Sequence, residues 1–120
     1  MRDYKKIKAY QLADELCVAV YKHTQKFPQN ELYGLTSQLR RASVSVATNI
    51  VEGASRQTFK DYLHFLYMSR GSLAESQYLI SLAQRLEYLN SNNSHELVEK
   101  ANTAAKTLFG LINSVKTEVG

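Results

Sequence analysis

The residues of this 120-residue chain that could do chemistry are three histidines, one cysteine and eleven carboxylates. A di-iron centre in a helical bundle needs two Glu-x-x-His motifs. The chain has no such motif, and only Asp61 precedes a histidine, His64, at the same spacing. His95 and Glu99 lie one helical turn apart but have no third ligand beside them. Because a protein metal site needs more ligands than this pair supplies, the sequence predicts no metal site and no cofactor.

The sequence does not predict nucleophilic catalysis either. The three histidines lie on separate predicted helices, so nothing resembles a Ser-His-Asp or Cys-His constellation. His23 is interpreted as a hydrogen-bonded core or interface histidine. Cys17 has no basic neighbour in its turn and is interpreted as an inert thiol. Gly53 and Gly71 are isolated, so no glycine-rich phosphate loop is present. We therefore predict no catalytic residue, no small-molecule substrate and no enzymatic activity.

Positive charge is the remaining chemical signal. Fifteen basic and eleven acidic residues give a net charge of +4 and a pI near 9.2. The surplus is concentrated in residues 1–8 and 40–70, and two basic regions on a near-neutral body suit contacts with phosphates. A charge of this size is equally typical of a protein that binds no nucleic acid. The residues predicted to bind nucleic acid are a flexible N-terminal arm of Arg2, Lys5, Lys6 and Lys8, followed by Arg56 and Lys60.

The compartment can be inferred from cysteine use and from hydropathy. One cysteine, Cys17, excludes an intramolecular disulfide and favours a reduced, intracellular setting. Residues 1–8 are basic, but Gln11, Asp14 and Glu15 interrupt the apolar segment that a signal peptide would need. No window approaches the length of uncharged apolar chain that crosses a membrane, which is about 18 residues or more. We expect a cytoplasmic protein without a membrane partner.

Apolar residues recur at the three- and four-residue spacing of amphipathic helices along most of the chain. Pro28 and Gly53 mark two helix ends, and Thr58 marks a helix start. Asn93, three residues before Glu96, resembles a capping box. Predicted connections of about four or five residues force neighbouring helices to be antiparallel. We predict one all-α domain, an up-down-up-down four-helix bundle, with helices at about 8–27, 32–52, 59–89 and 94–115.

The predicted third helix carries two apolar stripes, whereas a helix at the edge of a monomeric bundle needs only one. At a rise of about 1.5 Å per residue it would be about 45 Å long, against about 31 Å for the second helix. The excess turns in its C-terminal half would leave apolar side chains exposed in a monomer. We therefore predict a homo-oligomer. The candidate interface residues are Leu79, Leu82, Leu86 and Leu89.

The second and third helices also carry polar residues that an antiparallel hairpin would bring together. The predicted register places Arg41 level with Arg70, and Glu75 within about one and a half turns of Arg41. Gly71 would leave room for a guanidinium, so we predict an Arg41–Glu75 salt bridge. Polar groups in such a seam usually specify register; alternatively, some arginines face outwards and bind an acidic partner. The predicted structural polar seam is Arg40, Arg41, Asn49, Glu52, Arg70 and Glu75.

Three sequence motifs together resemble a known family. Residues 38–53 read QLRRASVSVATNIVEG, and Arg56 and the segment RGSLAE at 70–75 follow. Near the N-terminus, residues 9–13 read AYQLA. These motifs resemble the bacterial four-helix-bundle proteins first noticed as products of intervening sequences inside 23S rRNA genes. The resemblance covers nearly the whole chain.

The resemblance implies a small bundle that assembles into a ring, typically a homopentamer. It also implies kinship with the accessory protein of diversity-generating retroelements, a basic barrel that works with a reverse transcriptase and nucleic acid. Most members of the family have no known activity. The chain departs from the family pattern at Ser76-Gln77, where a Leu-Glu pair is common, and at Val51, which replaces a usual Ala.

Together, these features favour a non-enzymatic, oligomeric binding or scaffold protein that contacts structured RNA, a ribonucleoprotein or a nucleic-acid enzyme. The alternative is an interaction module that binds only protein. Phosphate binding should weaken steeply with added salt, whereas an apolar protein interface should barely respond. We expect weak sequence selectivity, because the sequence contains neither a recognisable recognition helix nor an exposed aromatic stacking platform.

Overall fold

The chain folds almost entirely into helix, as seen in a computed structural model that describes residues 2–120; Met1 lies outside the described residues. No strand occurs within the described range, so the predicted all-α class is confirmed. None of the helices in that range has the length and hydropathy that a membrane crossing requires. The four helices are α1 (Lys8–Thr24), α2 (Leu35–Ala54), α3 (Phe59–Arg85) and α4 (Ser91–Val119).

The helices form an antiparallel bundle in which each packs against two neighbours, in the cyclic order α1, α2, α3, α4. Across residues 2–120, the diagonal pairs have no close backbone approach. His23 in the last turn of α1 contacts Glu96 near the start of α4, so these two helices run in opposite directions. The bundle measures 46 × 24 × 20 Å. The predicted up-down-up-down four-helix bundle is thus confirmed.

The connection between α1 and α2 is longer than predicted. α1 ends at Thr24, three residues early, and α2 begins at Leu35, three residues late. Pro28 disfavours helical backbone at the residue before it, and a 3-10 turn at Gln29–Glu31 follows. The Oε1 atom of Glu31 accepts the backbone N–H of Leu35 at 3.2 Å. This contact satisfies one of the N–H groups left free at the start of a helix, and so sets where α2 begins.

α3 ends at Arg85, four residues before the predicted end. Glu87 adopts the left-handed backbone region, with φ at 64°. The N–H of Tyr88 donates to the carbonyl of Ala83 at 2.9 Å. This is the Schellman ending, in which a left-handed residue follows the helix and is usually glycine. Because Glu87 occupies that position, the sequence carries no recognisable stop signal there.

The N-terminal caps of α3 and α4 differ in how well the sequence predicts them. Thr58 caps α3 as predicted, because its Oγ1 accepts the N–H of Asp61 at 3.1 Å. The predicted capping box of Asn93 and Glu96 is wrong, since the side chain of Asn90 caps α4 and accepts the N–H of Asn93 at 2.8 Å. The earlier start gives α4 29 residues, against 27 in α3. α4 can therefore cover α3 along its length.

Two of the four predicted interface leucines lie in the core. Leu79 and Leu89 are 2% and 5% exposed, which corrects the expectation that a monomer would leave them in solvent. The reason is that α3 is shorter and α4 longer than predicted, so little of α3 projects beyond its neighbours. Leu82 is half-buried, and Leu86 is 46% exposed.

α2 and α3 approach each other closely at Gly53. This glycine lies within α2 instead of ending it, and its φ is not in the left-handed region. A Cβ atom built on it would lie 2.9 Å from the Cβ of Phe65 and 3.3 Å from the carbonyl oxygen of Tyr62. Only a residue without a side chain leaves room for the α3 backbone at this distance.

Along the rest of the contact, hydrogen bonds of serine side chains, not salt bridges, connect α2 to α3 within the described residues. The Oγ of Ser69, which is fully buried, donates to the carbonyl of Val46 at 2.7 Å. One turn further on, the Oγ of Ser72 donates to the Oγ of Ser45 at 2.9 Å. This register differs from the predicted one by about one turn. It brings Glu75 level with the N-terminal half of α2.

The predicted salt bridge between Arg41 and Glu75 does not form. Both side chains are exposed, and they line a shallow depression between α2 and α3 without pairing. Within residues 2–120, the single contact between a basic and an acidic side chain at salt-bridge distance joins His23 to Glu96. An exposed pair gains little attraction in water and loses side-chain entropy when it orders. Because these two effects nearly cancel, Arg41 and Glu75 do not form a salt bridge even though they lie level with each other.

Most of the other predicted seam residues also lie outside the seam. The Nε of Arg40 donates to the Oγ1 of Thr24 at 2.8 Å, and so faces α1. Arg70 and Glu52 are exposed on the surfaces of α3 and α2. Asn49 is buried, at 9% exposure, and its Nδ2 donates within its own helix. The charged side chains are excluded because the narrow contact between α2 and α3 admits only small groups.

We predict that Gly53→Ala destabilises the fold by about 1–3 kcal/mol, because the added methyl group must displace the α3 backbone. Equilibrium unfolding in urea measures this loss. Gly71→Ala is the control, since a Cβ at Gly71 meets nothing within 4 Å. It should raise the free energy of unfolding by about 0.5–1 kcal/mol through its helix propensity. Equal midpoints for the two variants would contradict a rigid contact at Gly53.

Candidate nucleic-acid interface

Arg2 joins the N-terminal segment to the loop between α2 and α3. Its Nη1 donates to the carbonyl of Arg56 at 2.7 Å and to that of Ala54 at 3.3 Å. Its Cζ lies 4.3 Å from the ring centre of Tyr62 and 4.9 Å from that of Phe59. The guanidinium therefore satisfies the carbonyl of Ala54, the last residue of α2, which a helix leaves unpaired. It also satisfies the carbonyl of Arg56 in the loop that follows, and it stacks on two aromatic rings.

The N-terminal segment is ordered against the bundle, which corrects the prediction of a flexible arm. Asp3 caps a 3-10 turn at Tyr4–Lys6 by accepting the N–H of Lys5 at 3.1 Å. The ring of Tyr4 meets that of Tyr10 edge-on, with centroids 4.9 Å apart. Arg2 is thus held by structural contacts. Three other basic side chains of the segment are exposed: Lys5, Lys6 and Lys8.

The two basic regions of the sequence form one surface at a single end of the bundle. The contacts of Arg2 place residues 2–8 beside the loop at 55–58 and the first turn of α3. Residues 2–8 and 52–61 contain six basic residues and three acidic ones, Asp3, Glu52 and Asp61, so these segments carry a positive surplus. Within the described part of the chain, no basic residue here has an acidic partner at ion-pair distance. We call this surface the basic end; its basic residues are Arg2, Lys5, Lys6, Lys8, Arg56 and Lys60.

A shallow depression of ≈ 540 Å³ opens at the basic end. Its lining is Arg2, Ser55, Arg56, Gln57 and Phe59. Phe59, the first residue of α3 after the cap, is 40% exposed. Sequence reasoning missed this exposed aromatic side chain. The available signal was the position of Phe59 in the first turn, where a helix has few neighbours to bury it.

Arginine and lysine have different surroundings in this protein. Five of the six arginines place the guanidinium over an aromatic ring, and within residues 2–120 Arg41 is the exception. Planar guanidinium groups stack on rings, whereas lysine presents a compact, hydrated charge. The lysines of the basic end are therefore the more available cations. The stacked pairs are Arg2 with Phe59 and Tyr62, Arg40 with Tyr21, Arg56 with Phe65, Arg70 with Tyr67, and Arg85 with Tyr78.

The remaining side chains that could do chemistry, Cys17, Tyr62 and His23, lie in surroundings typical of a structural role. Burial raises the pKa of the Cys17 thiol, which keeps it protonated at neutral pH, and a hydrogen bond with Ser43 opposes the rise. Burial also raises the pKa of Tyr62, and the nearby charge of Arg2 opposes that rise. His23 lies 3.1 Å from Glu96. No group of three potential metal ligands occurs within residues 2–120.

We predict that Arg2→Ala destabilises the fold by about 1–2 kcal/mol, because two backbone carbonyls and two aromatic rings lose their partner. Lys106→Ala is the control. It removes an exposed basic side chain on α4 that has no hydrogen bond or ion pair within the described residues, and should change stability by less than about 0.5 kcal/mol. Urea unfolding of both variants measures the difference. A smaller loss for Arg2→Ala than for Lys106→Ala would refute the structural role of Arg2.

Comparison with known proteins places the fold and the family. The family model described as 23S rRNA-intervening sequence protein matches residues 5–110. A similar solved structure is the crystal structure of a protein of unknown function from the S23 ribosomal protein family of Bacteroides thetaiotaomicron VPI-5482. It shares 19% identity and a TM-score of 0.80, covering 88% of this chain and 95% of that chain, and thus the same fold. No curated protein matches the chain. Because the family match spans most of the sequence, the chain belongs to the 23S rRNA-intervening sequence protein family.

Proposed function

We propose that this protein is a non-enzymatic binding protein that contacts structured RNA, or a ribonucleoprotein, through its basic end. The observation that carries the proposal is the pair of hydrogen bonds from Arg2 to the carbonyls of Ala54 and Arg56. They unite two basic regions that lie about fifty residues apart in the sequence into one surface. The family name, which refers to intervening sequences of 23S rRNA, is consistent with an RNA partner but does not specify one.

The lysines of the basic end are suited to phosphate contacts. Lys5, Lys6 and Lys8 are exposed, and the ordered N-terminal segment holds them at one end of the bundle. Each phosphate that a lysine neutralises releases condensed counterions, which makes the affinity depend steeply on salt. Single contacts of this kind are weak. Several copies of the basic end in one assembly would combine them through multivalency. We place this activity in the cytoplasm, where the free thiol of Cys17 would persist.

We predict that changing both Lys5 and Lys6 to Ser lowers RNA affinity and flattens its dependence on salt. The slope of log affinity against log salt should fall by about 1.5, at roughly 0.7–0.9 per lost phosphate contact. Fluorescence anisotropy with a labelled RNA across a salt series measures both quantities.

The matched control changes Lys22 and Lys26 to Ser. Both lysines are also exposed, but they lie at the opposite end of the bundle. Lys22 is in the last turn of α1, and Lys26 follows two residues after the helix ends. The net charge falls equally in both variants. Equal losses of affinity would contradict a localised site, and absence of RNA binding at about 50 mM salt, where such contacts are strong, would refute the RNA proposal.

A second proposal is that the protein self-associates through the shared face of α2 and α3, as a homopentamer according to the family resemblance. Met68 on α3 and Leu86, which directly follows the last residue of α3, are 45% and 46% exposed. Half-buried Leu82 lies between them on the same stripe. Arg41 and Glu75 lie on the same face without partners in the described chain. Exposed apolar side chains flanked by unpaired charges are typical of a protein interface. If RNA binding is absent, this face would define a protein-only interaction module.

We predict that Leu86→Glu yields smaller particles with unchanged helicity, because a charge buried in an interface without a partner is costly. Light scattering and circular dichroism measure size and helicity. Val18→Glu is the control: Val18 is 50% exposed, but it lies on α1, away from the face of α2 and α3. A wild-type protein that is monomeric at micromolar concentration would refute self-association.

A further inference from the structure

We propose that the depression at the basic end binds an unpaired nucleobase of RNA, which stacks on Phe59. This inference rests on the proposed RNA-binding function and specifies its substrate class: single-stranded loops, bulges or ends, not continuous duplex. It starts from the 40% exposure of Phe59. A partly exposed aromatic ring in a depression lined by two arginines combines the two features that single-strand binding uses, a stacking surface and cations along the backbone.

The ring of Phe59 is held in place before any ligand arrives. It belongs to the first helical residue after the cap, and Thr58 fixes that helix start by accepting the N–H of Asp61. The guanidinium of Arg2 lies over the ring, 4.9 Å from its centre. Arg2 is itself tied to backbone carbonyls at the end of α2. A ring that does not need to reorder on binding loses less entropy when a base stacks on it.

The polar groups around the ring have free hydrogen-bonding capacity. The Oγ of Ser55 donates to the carbonyl of Glu52 at 2.7 Å, which leaves its lone pairs available as acceptors. The side-chain amide of Gln57 is exposed and has no partner within residues 2–120. Its N–H donors and its carbonyl could pair with the edge of any base. At ≈ 540 Å³, the depression falls within the range of about 300–1,000 Å³ that is usual for small-ligand sites.

The cations around the depression are placed for the phosphates that flank such a base. Arg56 stacks over Phe65, with its Cζ 4.5 Å from the ring centre, and stays exposed. Lys60 is exposed one residue after Phe59. Bases in a duplex are paired and stacked, and the A-form major groove is too deep and narrow for side chains to reach them. Duplex RNA could therefore meet the lysines but could not fill the depression.

The test uses the absence of tryptophan from the chain. Phe59→Trp introduces a single indole at the proposed stacking site, and Tyr33→Trp introduces one at the opposite end, where Tyr33 is 93% exposed. We expect a short single-stranded RNA to quench the fluorescence of Phe59→Trp and not that of Tyr33→Trp. A fully paired duplex of the same length should bind at low salt and quench neither. Equal quenching of the two indoles, or equal quenching by the duplex, would overturn the proposal.

Phe59→Leu provides the second measurement, because it keeps an apolar side chain and removes the aromatic face. Anisotropy should show about tenfold weaker binding of the single strand, with the salt slope and the affinity for duplex unchanged; circular dichroism checks the fold. If the wild type binds RNA but Phe59→Leu binds the single strand equally well, the base site is wrong and the proposed RNA-binding function stands. If the wild type binds neither RNA at low salt, the proposed function fails, and the base site fails with it.

Discussion

The close approach of α2 and α3 at Gly53 is the constraint on which the rest of this structure depends. A side chain there would run into the α3 backbone, so the two helices meet at the distance that a bare backbone allows. One residue later α2 ends, and the carbonyls released at its end bind Arg2. The position of the loop, and with it the exposure of Phe59, follows from this contact. The candidate RNA site is therefore a consequence of how tightly the hairpin closes.

The same constraint decides where the arginines can lie. A narrow contact accepts serine hydroxyls, such as that of Ser69 on the carbonyl of Val46, and excludes guanidinium groups. The arginines then find aromatic rings on the surface or at the ends of the bundle. Arg2 also connects two parts of the fold, because its carbonyl partners lie outside its own N-terminal segment. Arg41 has no ring and no acid beside it within residues 2–120, and its side chain is exposed. Packing between two helices thus separates structural arginines from available ones.

The sequence by itself determined the fold class, because that class depends on local signals. Three- and four-residue apolar spacing, Pro28 and the cap at Thr58 act within one or two turns, and they specify four helices in one antiparallel order. The helix ends were less predictable where the stop signal was unusual. Glu87 occupies a left-handed position that normally belongs to glycine, and so the end of α3 and the start of α4 were misplaced. The sequence also identified two regions rich in basic residues, but not that these regions meet at one end of the bundle.

Only the tertiary structure decided which of those residues act together. Arg2 bonds to carbonyls more than fifty positions away, and no periodicity in a sequence encodes such a contact. Gly53 looked like a helix end, and its role became visible only once α3 lay against it. Leu79 and Glu75 are four residues apart on one helix, yet one is buried and the other exposed. The physical reason is common to all three: burial and long-range hydrogen bonds depend on the register and the distance between helices, and a shift of one turn changes every neighbour.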